Sequence, residues 1–111
     1  MKKDTYVRLT KLAPVANAKA ETPKMEDYKL GQLNLDASGN DTLSLPVDYW
    51  VEGHLICDIE VGCSMKLDRR IRNGVSMTGV FISSPVTKIE GNNIYTGNSH
   101  YIVEDKKDNL N

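Results

Sequence analysis

Apolar and polar side chains alternate along most of this chain, with the period of two that is typical of β-strands. In the second half of the chain the alternation predicts strands at 49–57, 63–72, 75–84, 86–90, 93–96 and 99–104. The breaks between these strands contain glycine, asparagine, proline or aspartate, which favour turns. We find no stretch of ten or more residues with the 3.6-residue period of a helix. The pattern therefore predicts an all-β chain.

The first half of the chain is less regular. Residues 5–12 alternate and predict an N-terminal strand, and shorter alternating stretches lie at 28–35 and 43–45. Residues 13–27 are rich in alanine, proline, lysine and glutamate, lack a period, and read as a linker, an arm or a weak helical turn. We divide the chain into four parts: an N-terminal strand (1–12), an Ala/Pro-rich arm or linker (13–27), a β domain (28–104) and a flexible tail (105–111).

A chain of 111 residues suits one domain. Short strands with frequent turns favour a small, partly open barrel, OB-like or SH3-like, or a two-sheet sandwich of six to eight strands. With one Trp, one Phe and five Tyr, the core must be mostly aliphatic. Trp50, the single tryptophan, is expected to close the core or an end of the barrel, with stacking on a ligand as the alternative.

The segment from Lys66 to Phe81 is the most informative part of the sequence. Asn73-Gly74 favours a type I′ turn, because both central residues of that turn need positive φ. A two-residue loop then fixes the pairing of the two strands. One predicted face carries Lys66, Asp68, Arg70 and Arg72 opposite Phe81, Gly79, Met77 and Val75. The other predicted face, which is the better core face, carries Met65, Leu67, Arg69 and Ile71 opposite Ile82, Val80, Thr78 and Ser76.

The first of these faces is the candidate binding surface, because it mixes cations with apolar side chains. Its candidate binding residues, with Arg69 joining from the hairpin tip, are Lys66, Arg69, Arg70, Arg72, Val75, Met77 and Phe81. A protein partner would pack on the apolar members. Alternatively, a base would stack on Phe81 while the cations meet phosphates. An ordinary solvated sheet surface also accounts for the pattern, and Asp68 offsets part of its charge.

Overall charge favours the protein partner. Fourteen basic and fifteen acidic side chains give a net charge of −1, which removes any global attraction to nucleic acid or to an anionic membrane. Two function classes follow. The first is a non-enzymatic interaction or structural protein that contacts a protein partner or a further copy of itself. The second is a single-stranded nucleic-acid-binding module that uses the same face.

Candidate chemistry elsewhere is sparse. The residues His54, Cys57, Cys63 and His100 are zinc-ligand types, but the first two are three apart on one strand and face opposite sides. Buried, reduced thiols are the simpler expectation, with a single bridge as the alternative outside a cell. P-loop, Gly-x-Gly-x-x-Gly and Gly-x-Ser-x-Gly patterns are missing from the sequence. We therefore expect no metal, no cofactor and no enzymatic activity.

Several short sequence motifs, typical of turns and strands, lie between Gly53 and Glu104. They are Val61-Gly62, Arg72-Asn73-Gly74-Val75, Gly79-Val80-Phe81, Ser83-Ser84-Pro85-Val86, Thr96-Gly97-Asn98-Ser99 and Tyr101. On these motifs, the stretch from Gly53 to Glu104, which covers roughly half of the chain, resembles small, mostly uncharacterised β-barrel proteins of phages and mobile elements. The resemblance implies a viral or mobile-element setting. In that setting, the expected interaction or structural protein would be a virion component, an assembly factor or an inhibitor of a host enzyme, located in the host cytoplasm or the virion. It implies no site residues.

Overall fold

The computed structural model describes residues 1–16 and 46–106. These residues form six antiparallel strands: β1 (Tyr6–Pro14), β2 (Trp50–Leu55), β3 (Ser64–Arg72), β4 (Val75–Glu90), β5 (Asn93–Thr96) and β6 (Ser99–Asp105). Each strand pairs with the next one in sequence, and β6 pairs with β1, so the sheet closes into a ring. Register shifts interrupt four of the six ladders, which makes the ring irregular. The predicted all-β class is confirmed.

The predicted divisions of the chain are only partly visible. The predicted strands at 28–35 and 43–45 lie outside the described residues, as do residues 17–27 of the predicted arm and most of the predicted tail. The first strand continues two residues into the predicted arm, because Ala13 and Pro14 pair with His100 and Ser99. Between residues 46 and 106, the strands lie within a few residues of their predicted positions.

Pro85 does not end a strand, and the predicted break at this residue is wrong. The strand β4 runs through it and changes partner there, pairing with β3 up to Pro85 and with β5 from Val86 onward. A proline lacks an N–H group, but at this junction its carbonyl oxygen still accepts a hydrogen bond from Gly97 N–H at 3.3 Å. One long strand therefore serves both halves of the ring.

The predicted turn between β3 and β4 is confirmed. Asn73 has a φ of 48° and Gly74 a φ of 89°, the positive values that a type I′ turn requires. Next to the turn, Arg72 pairs with Val75 as predicted. The register of the hairpin therefore starts where the sequence indicates.

The predicted register fails a few residues further on, at a bulge. Arg69 pairs with Gly79, so Met77 and Thr78 of β4 together oppose the single residue Arg70. Because side chains alternate with a period of two, one extra residue reverses the two faces of β4 beyond that point. Phe81 consequently points into the core with 2% of its surface exposed, while Ile82 points outward with 55% exposed. The predicted placement of Phe81 beside Lys66 on an outer face is wrong.

A second bulge in β3 affects Arg72. Relative to β2, Glu52 pairs with Ile71 and Gly53 pairs with Arg69, so Arg70 is the extra residue. The strands approach closely here, since a Cβ atom on Gly53 would lie 2.0 Å from the carbonyl oxygen of Asp68. Only glycine fits this position. The bulge also turns Arg72 inward, where it is 3% exposed.

The core lies inside the ring and is mostly aliphatic, as predicted. Its members are Val7, Leu9, Tyr49, Val51, Leu55, Ile59, Met65, Leu67, Phe81, Val86, Ile94, Tyr101 and Val103. Phe81 packs edge-on against Tyr101 with the ring centroids 6.2 Å apart. Trp50 is not among these residues. It is half-buried on the outside, so the expectation that it closes the core is wrong.

Lys11 follows Val7 and Leu9 on the inward side of β1 and is fully buried. Burial lowers the pKa of its ammonium group from the ordinary 10.5 to about 8, because the charged form loses its hydration. At neutral pH the folded state therefore carries the cost of a buried charge. Lys11 is the one described lysine that contributes to the interior of the ring rather than to its surface.

The free energy of unfolding is expected to rise with pH between about 8 and 10.5, because the folded state releases the Lys11 proton before the unfolded state does. The rise amounts to about 3 kcal/mol. Urea denaturation across this window, on the natural chain and on Lys11→Met, measures it. We expect the variant to be more stable at neutral pH and to show a flatter profile. Parallel profiles for the two proteins would contradict the assignment.

Candidate functional site

The seven residues predicted to bind a partner do not share one surface. Lys66, Arg70 and Val75 are exposed, and Met77 is half-buried near the tip of the hairpin. Arg69, Arg72 and Phe81 are buried. The two bulges at Arg70 account for the difference, since they reverse the side on which Arg72 and Phe81 project. Only part of the predicted binding set is therefore accessible.

Arg69 stabilises the bulge in β4. Its Nε donates a hydrogen bond to the carbonyl oxygen of Met77 at 3.1 Å, and its Nη2 donates to that of Thr78 at 3.2 Å. A bulge disrupts the ladder and leaves such carbonyl groups in need of other donors. The fork of the guanidinium group supplies both donors from inside the ring. Arg69 is therefore part of the fold rather than of a binding surface.

Arg72 is also structural. Its guanidinium carbon lies 5.4 Å from the centroid of the Tyr49 ring, within the range of a cation–π interaction. It reaches that ring from the end of β3, just before the turn at Asn73. The sequence placed it among the outward cations, where it would have strengthened a phosphate-binding face. In the structure Arg72 is buried, so it adds no positive charge to the outer face.

A continuous outer strip does cross β3 and its neighbours, with a different membership from the predicted one. Lys66 pairs with Ile82, and Asp68 pairs with Val80, on the outward side of the β3–β4 ladder. The strip consists of Ile56, Lys66, Asp68, Arg70, Val80 and Ile82, and we call this set the outer strip. Ile56 joins it from the end of β2, where its N–H donates to the carbonyl oxygen of Lys66 at 2.9 Å.

Charges alternate along the outer strip. Lys66, Asp68 and Arg70 follow each other on β3, and Arg70 Nη2 lies 3.4 Å from an oxygen of Asp68. Both side chains of this pair are about half exposed, so the pair adds little to stability. Aliphatic side chains flank Lys66 on both sides, Ile56 just beyond the end of β2 and Ile82 on β4, whereas Asp68 lies between His54 of β2 and Val80 of β4. The six members include no aromatic side chain.

The outer face of β1 and β2 carries a cluster that sequence reasoning missed. The guanidinium carbon of Arg8 lies 3.9 Å from the centroid of a Trp50 ring, and its Nε donates to Glu52 at 2.6 Å. Tyr6 donates its hydroxyl hydrogen to the other Glu52 oxygen at 3.3 Å. The sequence did contain a signal for this cluster, because the alternation of residues 5–12 places Tyr6 and Arg8 on one side of the strand. The members satisfy one another, and this indicates a stabilised surface rather than an open site.

A second aromatic cluster lies on β5 and β6. The rings of Tyr95 and His100 stack with centroids 4.3 Å apart, and His100 Nε2 lies 2.9 Å from Asn93 Oδ1. Lys88 lies 5.6 Å from the Tyr95 centroid and 3.0 Å from Glu90, which raises the pKa of Lys88. Its residues come from three neighbouring strands, β4, β5 and β6, so the grouping becomes visible only once the strand pairing is known.

The residues considered for zinc do not assemble. His54 packs on Tyr6 and His100 on Tyr95, on different parts of the ring. Within residues 1–16 and 46–106, no group of three or more His, Cys, Asp or Glu side chains is arranged to hold a metal ion. Both cysteines are free thiols, Cys57 half-buried and Cys63 exposed, so the expectation that both are buried is wrong.

Comparison of the chain with protein-family models, with curated proteins and with solved structures found no match. The resemblance to small phage and mobile-element proteins therefore stays a prediction based on short turn and strand motifs. Residues 1–16 and 46–106 contain no helix long and apolar enough to cross a membrane.

Proposed function

We propose that this protein is a non-enzymatic interaction module that contacts a protein partner through the outer strip. The observation that carries the proposal is the exposure of Ile82 beside the cation Lys66. Ile82 is 55% exposed, whereas every apolar member of the core is at most 7% exposed. Exposed aliphatic side chains beside charged ones are typical of a contact that has an apolar centre and a polar rim.

The composition of the outer strip supports a protein rather than a nucleic acid. Single strands are held by stacking of bases on aromatic side chains and by several cations along the backbone. Phe81, the predicted stacking residue, is buried, and so are Arg69 and Arg72. The strip keeps two cations, and one of them is paired with Asp68. Single-stranded nucleic-acid binding by this face is therefore the weaker alternative.

The proposed setting follows from the resemblance described above. In a phage or mobile element, a small non-enzymatic module of this kind would serve as a virion component, an assembly factor or an inhibitor of a host enzyme. Each of these roles needs a protein contact surface. The setting also places the protein in the host cytoplasm or in the virion.

Replacing Ile82 with arginine is expected to remove partner binding without unfolding the protein, because the side chain projects into solvent. The experiment is quantitative affinity capture from the cells that produce the protein, with the natural chain, Ile82→Arg and the matched control Ile89→Arg. Ile89 is an exposed isoleucine on the half of β4 that pairs with β5. We expect at least about tenfold less partner with Ile82→Arg and normal recovery with Ile89→Arg.

A parallel measurement addresses the alternative. Fluorescence anisotropy of a mixed-sequence single-stranded oligonucleotide is followed against the purified protein at low and high salt. Phosphate binding weakens steeply as salt rises, whereas an apolar protein contact changes little. Salt-sensitive oligonucleotide binding that Lys66→Ala and Arg70→Ala weaken would contradict the proposed function. Equal capture of a partner protein by the natural chain, Ile82→Arg and Ile89→Arg would also contradict the proposed function.

A further inference from the structure

We propose that the partner of the outer strip is a second copy of this chain, bound face to face about a two-fold axis. The inference rests on the proposed function, and it names the partner. Its core is a block of four residues, two from each strand: Lys66 and Asp68 on β3, and Ile82 and Val80 on β4. All four lie on the outward side of the ladder, since their neighbours Met65, Leu67, Arg69 and Phe81 are buried.

The block is self-complementary. Lys66 stands level with Ile82, and Asp68 stands level with Val80, two residues further along each strand. A two-fold axis that passes across the strands through the centre of the block reverses the strand direction of the second copy. Lys66 of one copy then faces Asp68 of the other, and Ile82 of one copy faces Val80 of the other. The same axis thus brings opposite charges together and apolar side chains together, as an isologous interface requires.

The surroundings of the block also suit this arrangement. Arg70 flanks Asp68 on the same strand at 3.4 Å, so the carboxylate can contact both this guanidinium and the second copy's ammonium group. Each strand of the ring has a neighbour on either side, although β4 pairs with β3 only up to Pro85 and with β5 only from Val86 onward. The block lies on the outer face of the ring, and it is a face that matches itself.

Charge exchange within the block tests the arrangement. Sedimentation equilibrium of the purified full chain is expected to show a concentration-dependent dimer. Lys66→Asp should weaken dimerisation by at least about tenfold, because the introduced carboxylate would face Asp68 of the second copy twice per dimer. Asp68→Lys should do the same. The double exchange of the two residues should restore the dimer, since each pair is then complementary again.

Mixing supplies the sharpest result. The two single variants, each monomeric alone, should form a dimer with each other, because one chain carries two acidic groups in the block and the other carries two basic groups. Lys88→Asp is the control, since it reverses an exposed lysine that has its own acidic neighbour, Glu90, on another part of β4. Thermal unfolding checks that every variant folds, and Lys66→Gln replaces Lys66→Asp if that variant does not.

The outcomes separate this inference from the proposed function. A natural chain that stays monomeric up to millimolar concentration overturns the second-copy proposal, and so does a dimer that the block variants leave unchanged. If capture of another polypeptide still depends on Ile82 in that case, the proposed function stands and the partner is a different protein. If nothing is captured through Ile82 either, both proposals fail.

Discussion

Replacing Phe81 with alanine is expected to lower the free energy of unfolding by about 3–5 kcal/mol. Phe81 is 2% exposed, pairs with Leu67 across the ladder and packs edge-on against Tyr101, with the ring centroids 6.2 Å apart. Truncation at Cβ would leave a cavity in a small core that its neighbours only partly fill. Equilibrium urea denaturation of the natural chain and of the variant measures the loss.

Ile82→Ala is the matched control, because Ile82 is the next residue on the same strand and projects outward. We expect this change to cost no more than about 0.5 kcal/mol in the monomer, as is usual for exposed positions. Measurement at low protein concentration keeps association out of the comparison. A larger loss from Ile82→Ala than from Phe81→Ala would restore the uniform register that the Asn73-Gly74 turn predicts and would disprove the bulge.

Replacing Arg69 with methionine is expected to lower the free energy of unfolding by about 3–4 kcal/mol. The change keeps most of the side chain's length and apolar stem, but it removes the donors that reach the carbonyl oxygens of Met77 and Thr78. Part-buried carbonyl groups that lose their donors cost up to about 1–3 kcal/mol each. Loss of the guanidinium group should therefore destabilise the bulge more than the removal of a buried charge stabilises the interior.

Arg69→Lys separates charge from geometry in this prediction. Lysine keeps the positive charge but lacks the planar fork that donates to two carbonyl groups at once. We expect Arg69→Lys to remain well below the natural chain in stability, and amide hydrogen exchange at Thr78 and Gly79 to accelerate in both variants. If Arg69→Lys were as stable as the natural chain, charge alone would explain the role of Arg69, and the two hydrogen bonds would be incidental.

The positions of the strands between residues 46 and 106 could be predicted from the sequence because alternation and turn residues act locally. Asn73-Gly74 is a clear case, since its positive φ values are a property of those two residues. The strand break predicted at Pro85 is wrong because the effect of a proline depends on which strand lies beside it. The missing N–H group is harmless at the place where β4 changes partner.

The candidate site was harder to predict than the fold, because its membership depends on one extra residue. The alternation of β4 is compatible with either face pointing inward, since Phe81 and Ile82 are both large and apolar. The choice between them is made by the bulge at Met77 and Thr78, which needs the guanidinium group of Arg69 from the facing strand. Such a contact depends on residues of both strands, so the alternation of apolar and polar side chains in either strand does not reveal it. Lys66 and Arg70 were placed correctly because they lie on β3, whose outward side the bulge in β4 does not reverse.

The bulge in β4 also bears on how a surface of this protein could change. Met77 and Thr78 together oppose Arg70, and if the ladder straightened with both residues kept, the offset that the bulge introduces would be lost. By the period of two, Phe81 would then emerge beside Lys66, and Ile82 would turn inward. A change of register alone would exchange an aliphatic surface for an aromatic one, with no residue gained or lost. The strand thus encodes two alternative surface chemistries, and the presence of the bulge between Ser76 and Gly79 determines which of them faces the solvent.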